Sequence, residues 1–359
     1  MSRQLGGRLV TMAWLVLLGG CEQKKEQLGA PEPSGASAVA SNEAPAPSPV
    51  RSAGCTAGSS QPVTLTTVPG TVYALALDDT GLYYASWDVY SRSGKVAKVG
   101  KDGEGASPIA SLDLDPRGIA LDGGCVYYTV GVRLMKVKKY GSGDPEELAP
   151  VFSSQDIAFD GNDVFGVPGD YGPYDRLAKV PKSGGTVTEL FDQQRPKGGD
   201  GPKGLSRVAT DASGVYVTDS SENRLLKFPP GGGKPEAEPE VLARGQARAF
   251  DLALDATNAY FTRALSGELM VISKAGGSAT QLATGLVPNA RIATNGKHVF
   301  ASFGTEDASS LSRVPTSGGK PTALASVSRA VGRLAVDDRC LYWIERDVAS
   351  KSMLQALGL

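Results

Sequence analysis

A short phrase recurs seven times along this chain, and its spacing limits the possible folds more than any other feature. Its second occurrence reads Gly-Ile-Ala-Leu-Asp-Gly-Gly-Cys-Val-Tyr-Tyr-Thr, residues 118–129. Aligned, the phrase yields an acidic column: Asp78, Asp122, Asp160, Asp211, Asp255, Asn295 and Asp337. Two residues before each stands an alanine (Ala76, Ala120, Ala158, Ala209, Ala253, Ala293, Ala335). Five after each stands an aromatic (Tyr83, Tyr127, Phe165, Tyr216, Tyr260, Phe300, Tyr342). Successive acidic positions lie 44, 38, 51, 44, 40 and 42 residues apart. A period near 40–45 residues holding several short strands suits one four-stranded unit of a ring of sheets.

Each unit reads as four strands. The first carries the alanine, as in Asp251–Asp255, and the acidic residue opens a tight turn whose backbone N–H groups its carboxylate can accept. The second is the aromatic run, as in Val126–Thr129. The third is Leu-x-Lys-Val-like: Leu134–Val137, Leu177–Val180 and Leu225–Phe228. Paired glycines (Gly184-Gly185, Gly276-Gly277, Gly318-Gly319) supply the positive φ of a tight hairpin. A fourth strand ends in Leu-Ala, as at Leu148-Ala149 and Leu242-Ala243. The last unit lacks this strand, and Gln61–Val68 aligns with the fourth strand Lys320–Val327. The N-terminal stretch is therefore expected to complete the seventh unit and close the ring. An open stack would leave two unpaired edges. The expected fold is all-β, a seven-bladed β-propeller over residues 61–359. A Cys55–Cys340 disulfide would staple that closure, with Cys125 as the competing partner.

The second strands Val215–Asp219, Val126–Thr129 and Leu341–Ile344 are degenerate forms of a Tyr-Trp-Thr-Asp motif. With the Leu-x-Lys-Val strand and Gly-Gly turn, the chain resembles bacterial lipoprotein propellers of the YWTD/NHL-like repeat class. No complete Tyr-Trp-Thr-Asp occurs, and the resemblance implies a fold rather than an activity.

The N-terminus carries an address. Arg3 and Arg8 precede an apolar run, Leu9–Leu18, shorter than the roughly 20 residues of a membrane span. It ends in Leu18-Gly19-Gly20-Cys21, which resembles a bacterial lipobox. That resemblance implies cleavage before Cys21 and lipidation of its thiol; the alternative is an ordinary secretory signal. Glu22 rather than Asp after the cysteine favours the outer membrane. Residues 1–20 thus read as signal peptide and 21–60 as a lipidated, disordered tether rich in Ala, Pro, Ser and Gly. Its flexible part, residues 22–54, reaches roughly 30 Å root-mean-square.

Chemistry is sparse. Net charge is -1, so no basic field points to nucleic acid. His298 is the single histidine, in a turn column shared with Gly81, Cys125, Asp163, Gly214, Asn258 and Cys340 that reads as solvated. Asp113–Gly118 begins like a calcium loop but has Arg117 at the fifth place and Gly124 at the twelfth, so it reads as a polar connection. Two groups stand out on the face bearing the second-to-third strand loops and the connections between blades. Four residues before the acidic column stand Ala74, Gly118, Asp156, Arg207, Asp251, Arg291 and Arg333, placing five charges at the channel mouth. They can bind a ligand, Arg291 and Arg333 an anion above all, or pair between blades as Asp156–Arg207 and Asp251–Arg291. The loops add Trp87, Asp88 and Tyr90 in blade one and Tyr171, Tyr174 and Arg176 in blade three, suited to glycan, peptide or cationic partners. The longest connection, Asp192–Ser206, follows blade three.

The resulting expectation is a monomeric, lipid-anchored envelope module that binds a protein or glycan partner, without catalysis, metal or cofactor. Its membrane contact would be the Cys21 lipid. The alternative is a gluconolactonase-like hydrolase with a divalent metal in the channel. Asp156 and Asp251 are then the only mouth carboxylates, set among three arginines that oppose a dication. Lyase or glycan chemistry through Tyr171, Tyr174 and Arg176 is a third reading.

Overall fold

The computed structural model describes residues 54–56, 58–140, 143–152, 154–167, 175–193, 204–235, 237–305, 308–327, 331–346 and 351–359. Seven four-stranded antiparallel sheets follow one another along the chain. Blade one runs Thr71–Asp78, Gly81–Asp88, Ser93–Val99 and Ser107–Leu112. Blade four runs Leu205–Asp211, Gly214–Asp219, Arg224–Phe228 and Glu240–Ala243. In every blade the strand ending at or near the acidic column is an edge of the sheet and packs against the matching strand of the next blade. These seven first strands line the channel.

Blade seven has only three consecutive strands of its own: Val331–Val336, Cys340–Arg346 and Lys351–Gly358. Its outer strand is Val63–Pro69 from the N-terminal side, antiparallel to Lys351–Gly358 with Val63 opposite Ala356. The ring thus closes through hydrogen bonds between residues nearly 300 positions apart. Cys55 and Cys340 are bonded, with Cα atoms 6.3 Å apart.

The core is distributed. Seven apolar clusters each lie between two neighbouring blades, for example Tyr84, Val72, Tyr342 and Ile344 between blades seven and one. The recurring aromatics supply it: Tyr83, Tyr127, Phe165, Tyr216, Tyr260, Phe300 and Tyr342 are all at most 1% exposed. The next residue points the other way, so Tyr84, Tyr128, Phe261 and Trp343 pack against the preceding blade. Period-two alternation puts each blade's aromatics into both of its interfaces.

The turn column holding His298 is less solvated than the sequence suggests. Gly81, Cys125, Gly214 and Cys340 are buried, while Asp163, Asn258 and His298 are half-buried. The column begins the second strand, beneath the end of the third. At Gly214, φ is +150°, and a Cβ would lie 2.3 Å from Phe228 O. Only glycine fits there without moving backbone. Among the described residues the single helical element is a short turn, Pro230–Gly232, and no helix is long and apolar enough to cross a membrane.

Candidate functional site

On the face carrying the second-to-third strand loops, the charged column converges into one cluster. Its position is set by a repeated backbone irregularity. The pairing of first with second strand shifts register beside this column in blades one, two, four, five and seven, for instance between Leu205 and Arg207. A bulge frees an N–H and re-aims a side chain. Backbone N–H groups beside the column are taken up by neighbours. Val208 N donates to Asp156 Oδ2 of the preceding blade (3.0 Å), and Ile292 N, at the start of its strand, to Asp251 Oδ2 (2.7 Å). Gly118 N and Asp251 N donate to the Thr129 and Thr262 hydroxyls of their own blades (2.8 and 3.1 Å).

The side chains then link five blades. Arg207 Nε donates to Asp251 Oδ1 at 2.6 Å, and its Nη1 lies 3.8 Å from Asp156 Oδ1. Arg291 Nη1 reaches Asp251 Oδ1 at 3.4 Å, and Arg333 Nη2 reaches Asp156 Oδ1 from blade seven, across the channel from blade three. Phe250 lies under the guanidiniums of Arg207, Arg248 and Arg291, at 5.7, 5.9 and 4.3 Å. The two expected pairs are present, but Arg207 sits closer to Asp251 than to Asp156, and Arg333 joins as a fifth member. Asp251 is 2% and Asp156 6% exposed, so the group is an inward plug rather than an open rim. Each carboxylate receives a backbone N–H and two guanidiniums, leaving it already supplied with positive charge. Among the described residues no cluster of three or more His, Cys, Asp or Glu could hold a metal.

The loop residues separate. Asp88 ends its strand and accepts Tyr90 N (3.0 Å) and the Ser91 hydroxyl (2.7 Å), which hold its carboxyl below the usual value. It shapes a turn that lifts Tyr90, 80% exposed, into solvent. Trp87 is half-buried, paired across the sheet with Thr71 and Gly94. Arg176 pairs with Glu189 of the adjacent strand at 2.5 Å. Tyr171, Tyr174, Cys21 and most of the connection after blade three lie outside the described residues. In the calcium-like stretch, Asp115 pairs with Arg117, whose guanidinium sits 4.1 Å from the Tyr73 ring centre.

Two further features were not apparent from the repeat. Six of the seven large apolar side chains exposed among the described residues share the loop face: Val89, Tyr90, Leu114, Val132, Val151 and Leu265. The first five lie on consecutive connections of blades one to three. Leu114 packs over Gly131, where a Cβ would lie 3.4 Å from Leu114 Cδ1, and Phe152 N donates to Val132 O. The loops of Leu114, Val132 and Val151 touch one another, and Val89 and Tyr90 stand on the neighbouring loop of blade one.

On the opposite face the acidic column is bound between blades by lysines. Lys139 Nζ of blade two donates to Asp78 of blade one at 2.7 Å, and Lys101 of blade one to Asp337 of blade seven at 2.8 Å. Lys274 of blade five binds Asp211 of blade four. Burial opposes ionisation of Asp78, Asp211 and Asp337, but these ammoniums with turn N–H groups, and hydroxyls at Asp78 and Asp211, outweigh it and lower all three carboxyls. The signal was present in the sequence, because a lysine recurs two residues before the hairpin glycine at Lys101, Lys139, Lys182 and Lys274. A cavity of about 610 Å³ opens on this face, lined by Asp211, Asp255, Lys274 and Asn295. His298 is half-buried beside it, its imidazole pushed down by burial and by Arg313 and Lys297.

No protein-family description and no curated protein matches this chain. In fold it is similar to streptogramin B lyase (TM-score 0.62, 13% identity, 83% of this chain and 97% of that one). It is also similar to virginiamycin B lyase from Staphylococcus aureus (0.60, 12%, 81% and 98%) and to BamB from Moraxella catarrhalis (0.50, 14%, 80% and 85%). Identities this low establish the β-propeller fold and carry no chemistry with them.

Proposed function

We propose that this protein is a non-catalytic binding propeller, tethered to a bacterial cell envelope through a lipid on Cys21, that docks a protein partner on its loop face. The observation that carries the reading is the strip Val89, Tyr90, Leu114, Val132 and Val151, exposed by 43–80% and gathered on one face. Apolar side chains scattered singly need no explanation, but a contiguous patch marks a docking surface. Tyr90 offers the aromatic anchor typical of interface centres. The tether supports the same reading. The described chain enters beside Cys55, whose N–H donates to Lys101 O on the opposite face, leaving the strip turned away from the attachment point. A glycan partner would use the same aromatic loop. The outer membrane is the favoured address on the strength of Glu22.

The metal-hydrolase reading is weaker because guanidiniums already occupy Asp156 and Asp251. The likeness to two lyases supplies a second reading, in which Tyr171, Tyr174 and Arg176 act on a ligand.

A photo-crosslinking amino acid at Val132 or Tyr90, compared with one at Tyr140 on the other face, tests the docking surface in cells. One discrete adduct from Val132 and Tyr90, absent from Tyr140 and abolished by Leu114→Glu, is expected. Equal adducts from both faces overturn the reading. Cys21→Ala should move the protein out of the membrane fraction.

A further inference from the structure

We infer that the charged cluster at the channel mouth is a binding site for one anionic group, a carboxylate or a phosphate, held between Arg291 and Arg333. This rests on reading the loop face as the binding face, and it names the ligand class of the column that the sequence singled out there.

The argument is a count of donors and charge. Among the described residues of the column, three guanidiniums meet two carboxylates, one positive charge more than the carboxylates balance. The carboxylates are saturated. Asp251 takes Arg207, Arg291 and Ile292 N, and Asp156 takes Arg333, Arg207 and Val208 N. The guanidiniums of Arg291 and Arg333 are not. Each has five N–H donors, and among the described residues each donates to a single protein acceptor, Asp251 Oδ1 at 3.4 Å and Asp156 Oδ1 respectively. Arg291 spends one flat face on Phe250, 4.3 Å away, which leaves its edge for hydrogen bonding. Both side chains keep about a quarter of their surface open, 24% and 22%, while Asp251 and Asp156 beneath them keep 3% and 9%.

Convergence makes this a site rather than two surface arginines. Arg291 and Arg333 come from adjacent blades, six and seven. Arg207 touches both Asp251 and Asp156, so one guanidinium bridges the two carboxylates that hold Arg291 and Arg333. Their geometry is held from below by buried carboxylates whose other oxygens are tied to backbone N–H groups of the next blade. Planar guanidiniums fixed in this way suit the two oxygens of a carboxylate or phosphate. A half-buried surplus charge over the apolar ring of Phe250 gains from such a counter-ion more than an exposed arginine would. The group could belong to a chain terminus or acidic side chain of a docked protein, or to a phosphorylated small molecule.

The test is a titration of full-length folded protein, selectively ¹⁵N-labelled on arginine, with inorganic phosphate and separately with acetate. Sodium chloride at matched ionic strength is the control. Saturable shifts of the Nε–H signals of Arg291 and Arg333, absent with chloride, are expected, and whichever anion saturates at the lower concentration identifies the chemistry. Arg333→Gln should raise the dissociation constant at least tenfold. Arg291→Lys, which keeps charge but loses the planar fork, should raise it several-fold, and near-UV circular dichroism of both variants should match wild type. Linear shifts shared with chloride, or equal affinity in a folded Arg333→Gln protein, overturn the inference. Crosslinking through Val132 is unaffected by that outcome, so loss of the anion site and loss of the docking face are separable.

Discussion

At the residue scale, each recurring side chain serves two neighbours. The turn aspartates accept N–H groups of their own hairpin, and Asp78, Asp211 and Asp337 take an ammonium from the next blade as well. In blades two and five the aspartate accepts the hydroxyl of the buried tyrosine five residues on, Tyr127 at 2.9 Å and Tyr260 at 2.6 Å. Burial, with that hydrogen bond to an anion, pushes the Tyr260 phenol up to about 12. The aspartate effects set the acid limit of the fold. Asp78, Asp211 and Asp337 ionise below the unfolded value of 3.8. Their contribution is therefore complete above about pH 4 and is lost as pH falls through the folded values. Lys274→Met removes the partner of Asp211 but keeps the buried aliphatic stem. It should cost about 1–2 kcal/mol at pH 7, between an exposed and a buried pair, with the share due to Asp211 lost near pH 2 and the share due to the Asp255 carbonyl kept. Urea unfolding across that range checks it; a wholly pH-independent difference would assign the effect to packing and the Asp255 carbonyl rather than to the Asp211 pair.

At the element scale, the four-stranded blade was legible and its irregularities were not. Strand order, the hairpin glycines, the third strand Leu225–Phe228 and the closing strand all follow from alternation and turn chemistry. The closing strand begins at Val63 rather than Gln61. The register shifts in the first strands leave no signature, since Leu205-Ser-Arg207 and Ala249-Phe-Asp-Leu252 look like ordinary strand. They occur in five of the inner strands, where bulges help the strands curve around a channel, a demand that exists only once the ring is formed. Gly214 makes the element-level prediction. Gly214→Ala keeps a small side chain yet places Cβ 2.3 Å from a carbonyl oxygen at a φ of +150°. A loss of about 1–3 kcal/mol is expected in thermal or urea melts. The Gly123→Ala control, at a glycine with open space around it, should change stability by much less.

At the scale of the whole molecule, closure is the feature on which the rest depends. Val63–Pro69 completes blade seven, and the Cys55–Cys340 bond ties that strand's approach to the blade it completes. The bond spans 285 residues of sequence, so reducing it frees nearly the entire chain in the unfolded state. Cys55→Ser should cost roughly 2–5 kcal/mol, read as a lowered denaturation midpoint with unchanged far-UV spectrum. Unchanged stability would mean that the hydrogen bonds of the closing strand suffice. Closure also sets the polarity of the particle, with the chain entry, the lysine–aspartate pairs and the 610 Å³ cavity on one face and the arginine cluster and apolar strip on the other.

The repeat by itself determined the blade count, the strand order and which strand closes the ring, because each depends on periodicity and local turn chemistry along the chain. It also brought Asp156, Arg207, Asp251, Arg291 and Arg333 to one level of the channel, since equivalent positions of a closed repeat must meet. Which of them pair, and which donors stay unspent, was decided only by the tertiary structure. Arg333 reaches Asp156 across the channel from four blades away in sequence order, and no spacing rule relates them. The apolar strip likewise consists of unrelated loop residues, Tyr90, Leu114, Val132 and Val151, that carry no shared pattern. They become one surface because the ring brings the ends of blades one to three side by side.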